Sequence, residues 1–163
     1  MDVFSSDNQH HEAMMRLAIE EALAAAEAGE VPVGAVIACG GEVVARAHNC
    51  VESTLQGTAH AELLAIKEAS RRLGMWRLDG CTLSVTKEPC AMCAGAMVNC
   101  RVPELFFGCP DPKTGAAGGF LDVTAMPDGF HTVRTTGGLL ASECLAILQD
   151  FFRKRRQQVK QQP

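Results

Sequence analysis

Two periodicities alternate in the order of apolar and polar residues along the chain. Apolar residues recur at three- and four-residue steps in residues 9–28 and 59–73, which predicts two amphipathic helices. The continuous apolar run at residues 31–39, rich in β-branched side chains, predicts a strand covered on both faces. Four further strands are predicted at residues 42–49, 81–86, 105–109 and 132–135.

Glycine and proline mark the ends of these elements and the start of two more helices. Gly40-Gly41 predicts a tight hairpin turn between the first two strands, and the polar residues 50–58 predict a loop. Pro89 favours the first turn of a helix over about 90–99, and a closing helix is predicted at about 139–158. Strand pairs that alternate with helices indicate an α/β fold in layers around one sheet.

Chain length and composition fit one globular domain. The 163 residues suffice for a sizeable core, with 47% hydrophobic and 21% charged residues. We expect a single domain over residues 1–163, with a basic helix at about 139–158 and a polar tail after it. The apolar runs fall short of the roughly 20 residues that a membrane-spanning helix needs. The first residues lack the basic-then-apolar order of a secretory signal, so a cytoplasmic protein without membrane contact is expected.

Eight cysteines are present, but a disulfide framework is typical of short secreted chains. Cys39, Cys81 and Cys109 lie in apolar surroundings and are expected to pack in the core. Only Cys90 and Cys93 have the spacing of metal ligands, and they lie at a predicted helix start. Residues three apart on a helix share a face, and a helix N-terminus favours the thiolate form that binds metal.

A histidine and a glutamate earlier in the chain complete a possible catalytic zinc site. Zinc prefers thiolate and imidazole ligands, and a catalytic zinc takes three of them and leaves a fourth position for water. His60, Cys90 and Cys93 supply three ligands, and Glu62 remains as a spare carboxylate. We expect His60 and Glu62 to lie in the first turn of the second predicted helix, facing the helix that carries the cysteines.

Less specific interpretations apply to the same residues. A Cys-x-x-Cys pair also fits a redox dithiol, although the intervening Ala-Met disfavours it, or half of a structural zinc site. A structural site needs a fourth ligand, for which Cys50, Cys100 and Cys109 are candidates without paired spacing. A solvated surface position is the alternative for Glu62. Glu88, which precedes Pro89, is expected to support the start of the helix.

Longer strings around these residues resemble a known family. His60-Ala61-Glu62 together with Pro89-Cys90-Ala91-Met92-Cys93 is similar to the signature of the zinc-dependent nucleoside and nucleobase deaminases. Four longer strings resemble the branch of this family that acts on adenosine in bacterial tRNA. They lie at residues 30–36, 90–97, 111–118 and 150–153. The resemblance implies a three-layer α/β/α, cytidine-deaminase-like fold with a central mixed five-stranded sheet.

The resemblance also implies an activity and its machinery. One Zn²⁺ per subunit, on His60, Cys90 and Cys93, would activate water, while Glu62 would carry protons to the ring nitrogen and the departing amine. The expected reaction is hydrolytic deamination of adenosine to inosine at the wobble position of a tRNA anticodon, in arginine tRNA with the anticodon ACG. A homodimer is implied as well.

Three further residues are expected, by the same resemblance, to meet the substrate. Asn49 would contact the target base, and Ala61 would line its pocket. Asp111 would contact a neighbouring ribose, whose 2′-hydroxyl distinguishes RNA from DNA. A strand-end hydrogen bond to backbone is the alternative for Asn49, and loop capping is the alternative for Asp111. The chain departs from the family pattern at Lys87, where an apolar residue is usual, and at Pro110.

The C-terminal end combines aromatic rings with positive charge. The formal net charge of the chain is −4, whereas residues 151–163 hold five basic residues and no acidic one. Phe151 can stack a base, although at least one of Phe151 and Phe152 is expected to be buried. The cations expected to bind phosphate are Arg153, Arg155 and Arg156. A solvated helix end is the alternative, but a catalytic metal site, expected beside this basic run, favours binding of a tRNA anticodon stem-loop.

Two rival functions remain open. A small-molecule deaminase acting on guanine, cytosine or a nucleoside would share the fold and the metal chemistry. The basic C-terminal end and the loop at residues 111–119 count against that function. A non-catalytic RNA-binding or zinc-structural module would have no use for a spare acid, so Glu62 counts against it.

Overall fold

A computed structural model describes residues 3–127 and 131–160, with side chains from residue 8 onward. The last residues of the predicted polar tail, 161–163, lie outside the described residues. In chain order the elements are α1 (Val3–Glu27), β1 (Gly34–Cys39), β2 (Glu42–His48), α2 (Val51–Thr54), α3 (Ala61–Leu73), β3 (Cys81–Lys87), α4 (Ala91–Asn99), β4 (Glu104–Cys109), β5 (Arg134–Gly137) and α5 (Ala141–Lys160).

The five strands form one mixed sheet in the order β2-β1-β3-β4-β5. β1 pairs antiparallel with both β2 and β3, whereas β3 with β4 and β4 with β5 are parallel pairs. Helices cover both faces, with α1 and α5 on one side and α3 and α4 on the other. The predicted three-layer α/β/α fold is confirmed.

β1 explains why two separate hydrophobic cores form. Ala35 and Ile37 belong to the larger core, shared with α3, α4 and the neighbouring strands. Val36 and Ala38 point the other way, into the smaller core beneath α1 and α5. Successive side chains of a strand face opposite sides of a sheet, so the continuous apolar run supplies both layers. The prediction of a strand covered on both faces is confirmed.

Two strands begin later than predicted, in one case because a backbone donor is missing and in the other because a donor is used elsewhere. The first strand begins at Gly34 and not at residue 31, since Pro32 has no N–H to donate to a ladder. β5 begins at Arg134 and not at residue 132. The N–H of Val133 donates instead to the carbonyl of Thr124 at 2.9 Å, so pairing with β4 starts at the next residue, Arg134.

Several helical boundaries also differ from the prediction: α1 begins at Val3 and not at 9, and α3 begins at Ala61 and not at 59. The predicted loop at residues 50–58 contains the short helix α2, closed by a hydrogen bond of 3.1 Å from the N–H of Thr54 to the carbonyl of Cys50. The closing helix begins at Ala141 and not at 139, because Leu140 has a positive φ of 52° that a right-handed helix cannot include.

Across residues 3–127 and 131–160, none of the helices is both long and apolar enough to cross a membrane.

Candidate functional site

A cavity of about 280 Å³ lies where α3 and α4 begin and where β2 and β3 end. Its walls combine three apolar valines with polar side chains from four separate stretches of the chain. The lining residues are Val31, Val33, Asn49, Val51, Glu52, His60, Ala61, Glu62, Lys87, Glu88, Cys90 and Thr114. Such a concave, mainly apolar space with a few convergent polar groups is the usual form of a small-molecule or nucleobase site.

The two helices that face the cavity both begin with a potential metal ligand. His60 is the N-cap of α3, with φ −76° and ψ 148°, and Cys90 is the N-cap of α4, with φ −74° and ψ 172°. The prediction that His60 lies in the first turn was therefore wrong. Because its backbone is extended, His60 points in a different direction from the helical Glu62, yet both reach the cavity.

His60, Cys90 and Cys93 come together as a group whose ligand atoms all lie within 4.8 Å of one another. His60 Nδ1 is 3.7 Å from Cys90 Sγ and 3.6 Å from Cys93 Sγ. A tetrahedral zinc ion with its usual bond lengths would hold nitrogen and sulfur about 3.6 Å apart. The three side chains thus fit such an ion without rearrangement.

The electrostatics of the two thiols suit a positively charged occupant. Hydrogen bonds from Cys93 and His60 lower the pKa of Cys90 to about 3. The pKa of Cys93 is raised, chiefly by its hydrogen bond to the Cys90 sulfur and then by burial. A divalent cation between the two sulfurs would favour the thiolate form of both. The N-termini of α3 and α4 add favourable potential for negative charge.

Glu62 is buried in the cavity wall and not on the surface. Only 4% of the residue is exposed, and burial raises the pKa of its carboxyl above the ordinary value. It occupies the second position of α3, beside the ligand cluster. A buried carboxyl of raised pKa at a reaction site is well suited to take up and release protons.

Asn49 is held from behind by a second buried carboxylate, Glu30. The Asn49 side-chain amide donates to Glu30 at 3.2 Å, and the backbone N–H groups of Glu52 and Ser53 donate to Glu30 at 3.1 and 2.7 Å. The alternative considered for Asn49 was a side-chain hydrogen bond to the backbone at the strand end. Its Nδ2 instead donates to a side chain, the Glu30 carboxylate. Since a carboxylate only accepts, Glu30 fixes which end of the Asn49 amide faces it.

We predict that Glu30→Gln destabilises the protein by about 1–3 kcal/mol, because buried N–H donors lose an acceptor. The glutamine amide would also set a donor against the donors of Asn49 or of the α2 backbone. Burial alone would raise the pKa of Glu30, but the hydrogen bonds from Ser53 and Glu52 prevail and the pKa is lowered. The stabilisation is therefore complete above the unfolded carboxyl pKa and is lost as pH falls through the folded value.

Urea unfolding of Glu30→Gln at neutral and acid pH tests this prediction. Glu27→Gln is the matched control, because Glu27 is exposed on the same segment and makes no side-chain hydrogen bond among the described residues. The difference from wild type is expected to shrink in acid for Glu30→Gln. Equal stability of the two variants at neutral pH would contradict the role given to Glu30.

Glu88, which lines the cavity, organises the loop at residues 111–119. Its carboxylate accepts backbone N–H bonds from Asp111 at 2.8 Å, Ala117 at 3.1 Å and Gly119 at 2.7 Å. The loop passes so close that a Cβ at Gly115 or Gly119 would lie about 2.5 Å from a Glu88 carboxyl atom. The prediction that Glu88 supports the helix start was wrong, because its oxygens serve the loop.

Asp111 is held by this loop and by Lys87, a position where the chain departs from the family pattern. Its Oδ1 accepts the backbone N–H groups of Lys113 at 3.0 Å and Thr114 at 3.2 Å, which is the loop capping considered as its alternative role. Its Oδ2 accepts from the Thr114 hydroxyl and from Lys87 Nζ. Burial acts against ionisation, but the Lys87 ammonium and the Thr114 hydroxyl prevail and lower the pKa of Asp111.

The predicted RNA contacts on α5 are not part of this cavity. Phe151 is half-buried and borders a second cavity between α1 and α5, of about 560 Å³. Phe152 is 40% exposed, so the prediction that one of the pair is buried was wrong. Arg153 pairs with Asp150, and the Arg155 guanidinium lies 5.9 Å from the Phe151 ring centre. The exposed Arg156 follows on the same helix.

Glu30 and Lys87 are the site residues whose contacts sequence reasoning missed. A carboxylate directly before an apolar run is the one local signal for Glu30. Lys87 stood out only as a departure from the family pattern. The partners of both are 19 to 24 residues away in the chain, so neither contact has a local signature.

Comparison with known proteins identifies relatives over nearly the whole chain. A family model described as MafB19-like deaminase matches residues 9–156. The tRNA-specific adenosine deaminase of Bacillus subtilis (strain 168) is 47% identical over 149 residues, covering 91% of this chain and 92% of the relative. A tRNA-specific adenosine deaminase of Streptococcus pyogenes (serotype M18) is 40% identical, with 90% and 92% covered.

Solved structures share the fold at two levels of similarity. A structure from a study of wobble-position editing by tRNA:A34 deaminases superposes with a TM-score of 0.81 at 41% identity, covering 83% of this chain and 99% of that one. The guanine deaminase of Nitrosomonas europaea superposes with a TM-score of 0.72 at 27% identity, covering 86% and 83%. The fold is thus shared by enzymes with different substrates.

Proposed function

Because this chain belongs to the family of tRNA-specific adenosine deaminases, we propose that it requires zinc and forms inosine in arginine tRNA with the anticodon ACG. Deamination of adenosine at the wobble position of tRNA is the activity of the family. The metal and the particular tRNA are the proposed parts. A cytoplasmic location, where tRNA is met, is part of the same proposal.

The cluster of His60, Cys90 and Cys93 is the observation that carries the zinc proposal. Its separations match a tetrahedral ion, and its donors are the nitrogen and sulfur that zinc prefers. Three ligands leave one position free, which is typical of catalytic sites and not of structural ones. No fourth cysteine joins the cluster among the described residues.

In the proposed mechanism, His60, Cys90 and Cys93 would hold a zinc ion, which would lower the pKa of water so that it can act as the nucleophile near neutral pH. Glu62 takes the proton released and delivers protons to the ring nitrogen N1 and to the departing amine. Burial keeps its carboxyl out of bulk water, so that the proton stays in the site. The product is inosine, with ammonia as the leaving group.

The base would be held by Asn49, Ala61 and the three valines of the cavity wall. Asn49 has its Nδ2 directed by Glu30, which orients its amide toward a flipped-out base. Ala61 is completely buried and small, so that the base can lie close to the start of α3. The apolar valines at positions 31, 33 and 51 give the two faces of the ring a dry surface.

RNA recognition is assigned to two surfaces. Asp111, fixed beside the cavity mouth, would meet the ribose of a neighbouring nucleotide. The exposed cations of α5 would bind anticodon stem phosphates, with Phe151 available for stacking. These cations are Arg153, Arg155 and Arg156.

A homodimer belongs to the same proposal. Large apolar side chains are exposed on segments that adjoin site residues: Leu55 after α2, Met92 in the first turn of α4, and Phe120 after the Glu88-bound loop. Leu55 is 91% exposed and directly follows α2, whose residues Val51 and Glu52 line the cavity. A second copy covering these side chains would enclose the site.

The deciding experiment is inosine formation in arginine tRNA with the anticodon ACG. The purified protein is expected to convert the wobble adenosine, while the same tRNA carrying GCG, without a wobble adenosine, is expected to stay unchanged. Conversion should stop after removal of zinc by a chelator and return when zinc is added back.

Free guanine, cytosine and adenosine serve as the competing substrates in that assay. The similarity to a guanine deaminase makes guanine the rival to include. Ammonia release from guanine by a protein that leaves the tRNA unchanged would refute the tRNA assignment.

A further inference from the structure

Lys87 occupies an unusual place for a lysine, at the wall of a cavity lined by carboxylates. It ends β3, and its side chain is 29% exposed. Among the described residues that line the cavity, it is the only lysine or arginine, whereas Glu52, Glu62 and Glu88 are acidic. Its ammonium is therefore the side-chain group of this lining that attracts a polyanion by charge.

The carboxylate that Lys87 pairs with has no free acceptor position. Asp111 accepts two backbone N–H groups at Oδ1, and the Thr114 hydroxyl and Lys87 Nζ at Oδ2. An ionised carboxylate offers about four acceptor positions, so all are filled. A ribose hydroxyl can reach Asp111 only by displacing one of these donors.

Lys87 is the donor most easily displaced. The backbone N–H groups of Lys113 and Thr114 are fixed by the loop that Glu88 holds. The lysine head is a point charge on a flexible stem, so it can leave Asp111 without any movement of the backbone. Of its three N–H donors, the one bond found within the described residues goes to Asp111.

We propose that Lys87 is a substrate-binding residue that leaves Asp111 when RNA binds and contacts the backbone phosphate of the nucleotide whose ribose takes its place. The inference rests on the proposed function, since it assumes that RNA is the substrate. In the free protein the same lysine holds the Asp111 carboxylate in the position where it would accept the ribose hydroxyl. The ammonium exchanges one anion for another, so its charge is neutralised in both states.

The test is the salt dependence of binding to an RNA anticodon stem-loop, measured by fluorescence anisotropy without turnover. Lys87→Met is expected to weaken binding about tenfold, as for a lost hydrogen bond to a charged group. It should also reduce the slope of log Kd against log salt by about 0.7–1, the contribution of one phosphate contact. Lys87→Arg should keep the wild-type slope. Lys67→Met, at an exposed lysine on α3, is the charge-matched control and should leave the slope unchanged.

A second comparison separates phosphate binding from mere support of Asp111. In an Asp111→Asn background, replacing Lys87 with methionine should still lower the salt slope by about 0.7–1. Equal slopes for Asp111→Asn and the double variant would overturn the proposal and leave Lys87 only a positioning role. A wild-type protein that does not bind the stem-loop would overturn it too.

Failure of the inference and failure of the proposed function give different results. Inosine formation by wild type, with Lys87→Met showing the wild-type slope, rejects the phosphate contact alone. Stem-loop binding with the predicted slope change, but without inosine, rejects the deaminase assignment and supports the contact.

Discussion

Glu62→Gln is expected to reduce the rate constant for inosine formation by about 10³-fold, because a glutamine amide cannot take up and release the proton. The change keeps the size and shape of a side chain that is only 4% exposed, so the packing of α3 should persist. Zinc content and melting temperature should stay near wild type. The measurement is single-turnover conversion of the wobble adenosine at saturating enzyme.

Glu68→Gln is the matched control for this variant. Glu68 lies on the same helix but faces solvent, where it pairs with Arg71 and Arg72. Its loss should leave the single-turnover rate within about twofold of wild type, since a surface ion pair contributes little. A Glu62→Gln protein that retained its zinc and more than a tenth of the activity would show that another group moves the proton.

Cys93→Ala is expected to abolish zinc binding and activity together. The Cys93 sulfur is fully buried and lies 3.6 Å from His60 Nδ1, so no other side chain can replace it without rebuilding the start of α4. Two remaining protein ligands are too few for a stable zinc site. We expect less than a tenth of the wild-type zinc, by elemental analysis, and inosine formation below detection.

Thermal unfolding extends the test of Cys93→Ala beyond activity. A metal that binds only the folded state stabilises it, so a chelator should lower the melting temperature of wild type but not that of the variant. Cys81→Ala is the control for removing a buried sulfur, because Cys81 is buried in the same core but lies outside the ligand cluster. Wild-type zinc content in Cys93→Ala would exclude the proposed ligand set.

The order of elements and the class of fold could be predicted from the sequence. The signals were local: the uninterrupted apolar run of β1, the glycine pair of the hairpin, and Pro89 before α4. The pairing of strands was harder to predict from the sequence, because it depends on which strand edges meet in the folded sheet. The ends of β1 and β5 were displaced by one missing N–H donor and by one bond to Thr124, neither of which alters hydrophobic periodicity.

The ligand cluster could be predicted because its residue types are rare and their spacing is specific. His60 was placed one position too far into its helix, since its extended backbone is set by the cap and not by periodicity. The supporting shell was not predictable. Glu30 and Glu88 resemble ordinary surface acids in the sequence, and only the folded chain shows that backbone N–H groups converge on them.

The far edge of the sheet limits how copies of this chain can associate. β5 has only four residues and begins with Arg134 paired to Glu104, and within residues 3–127 and 131–160 no strand pairs with its outer side. Short, charged edge strands resist the addition of further strands from another molecule. Edge-to-edge aggregation through β5 is therefore disfavoured.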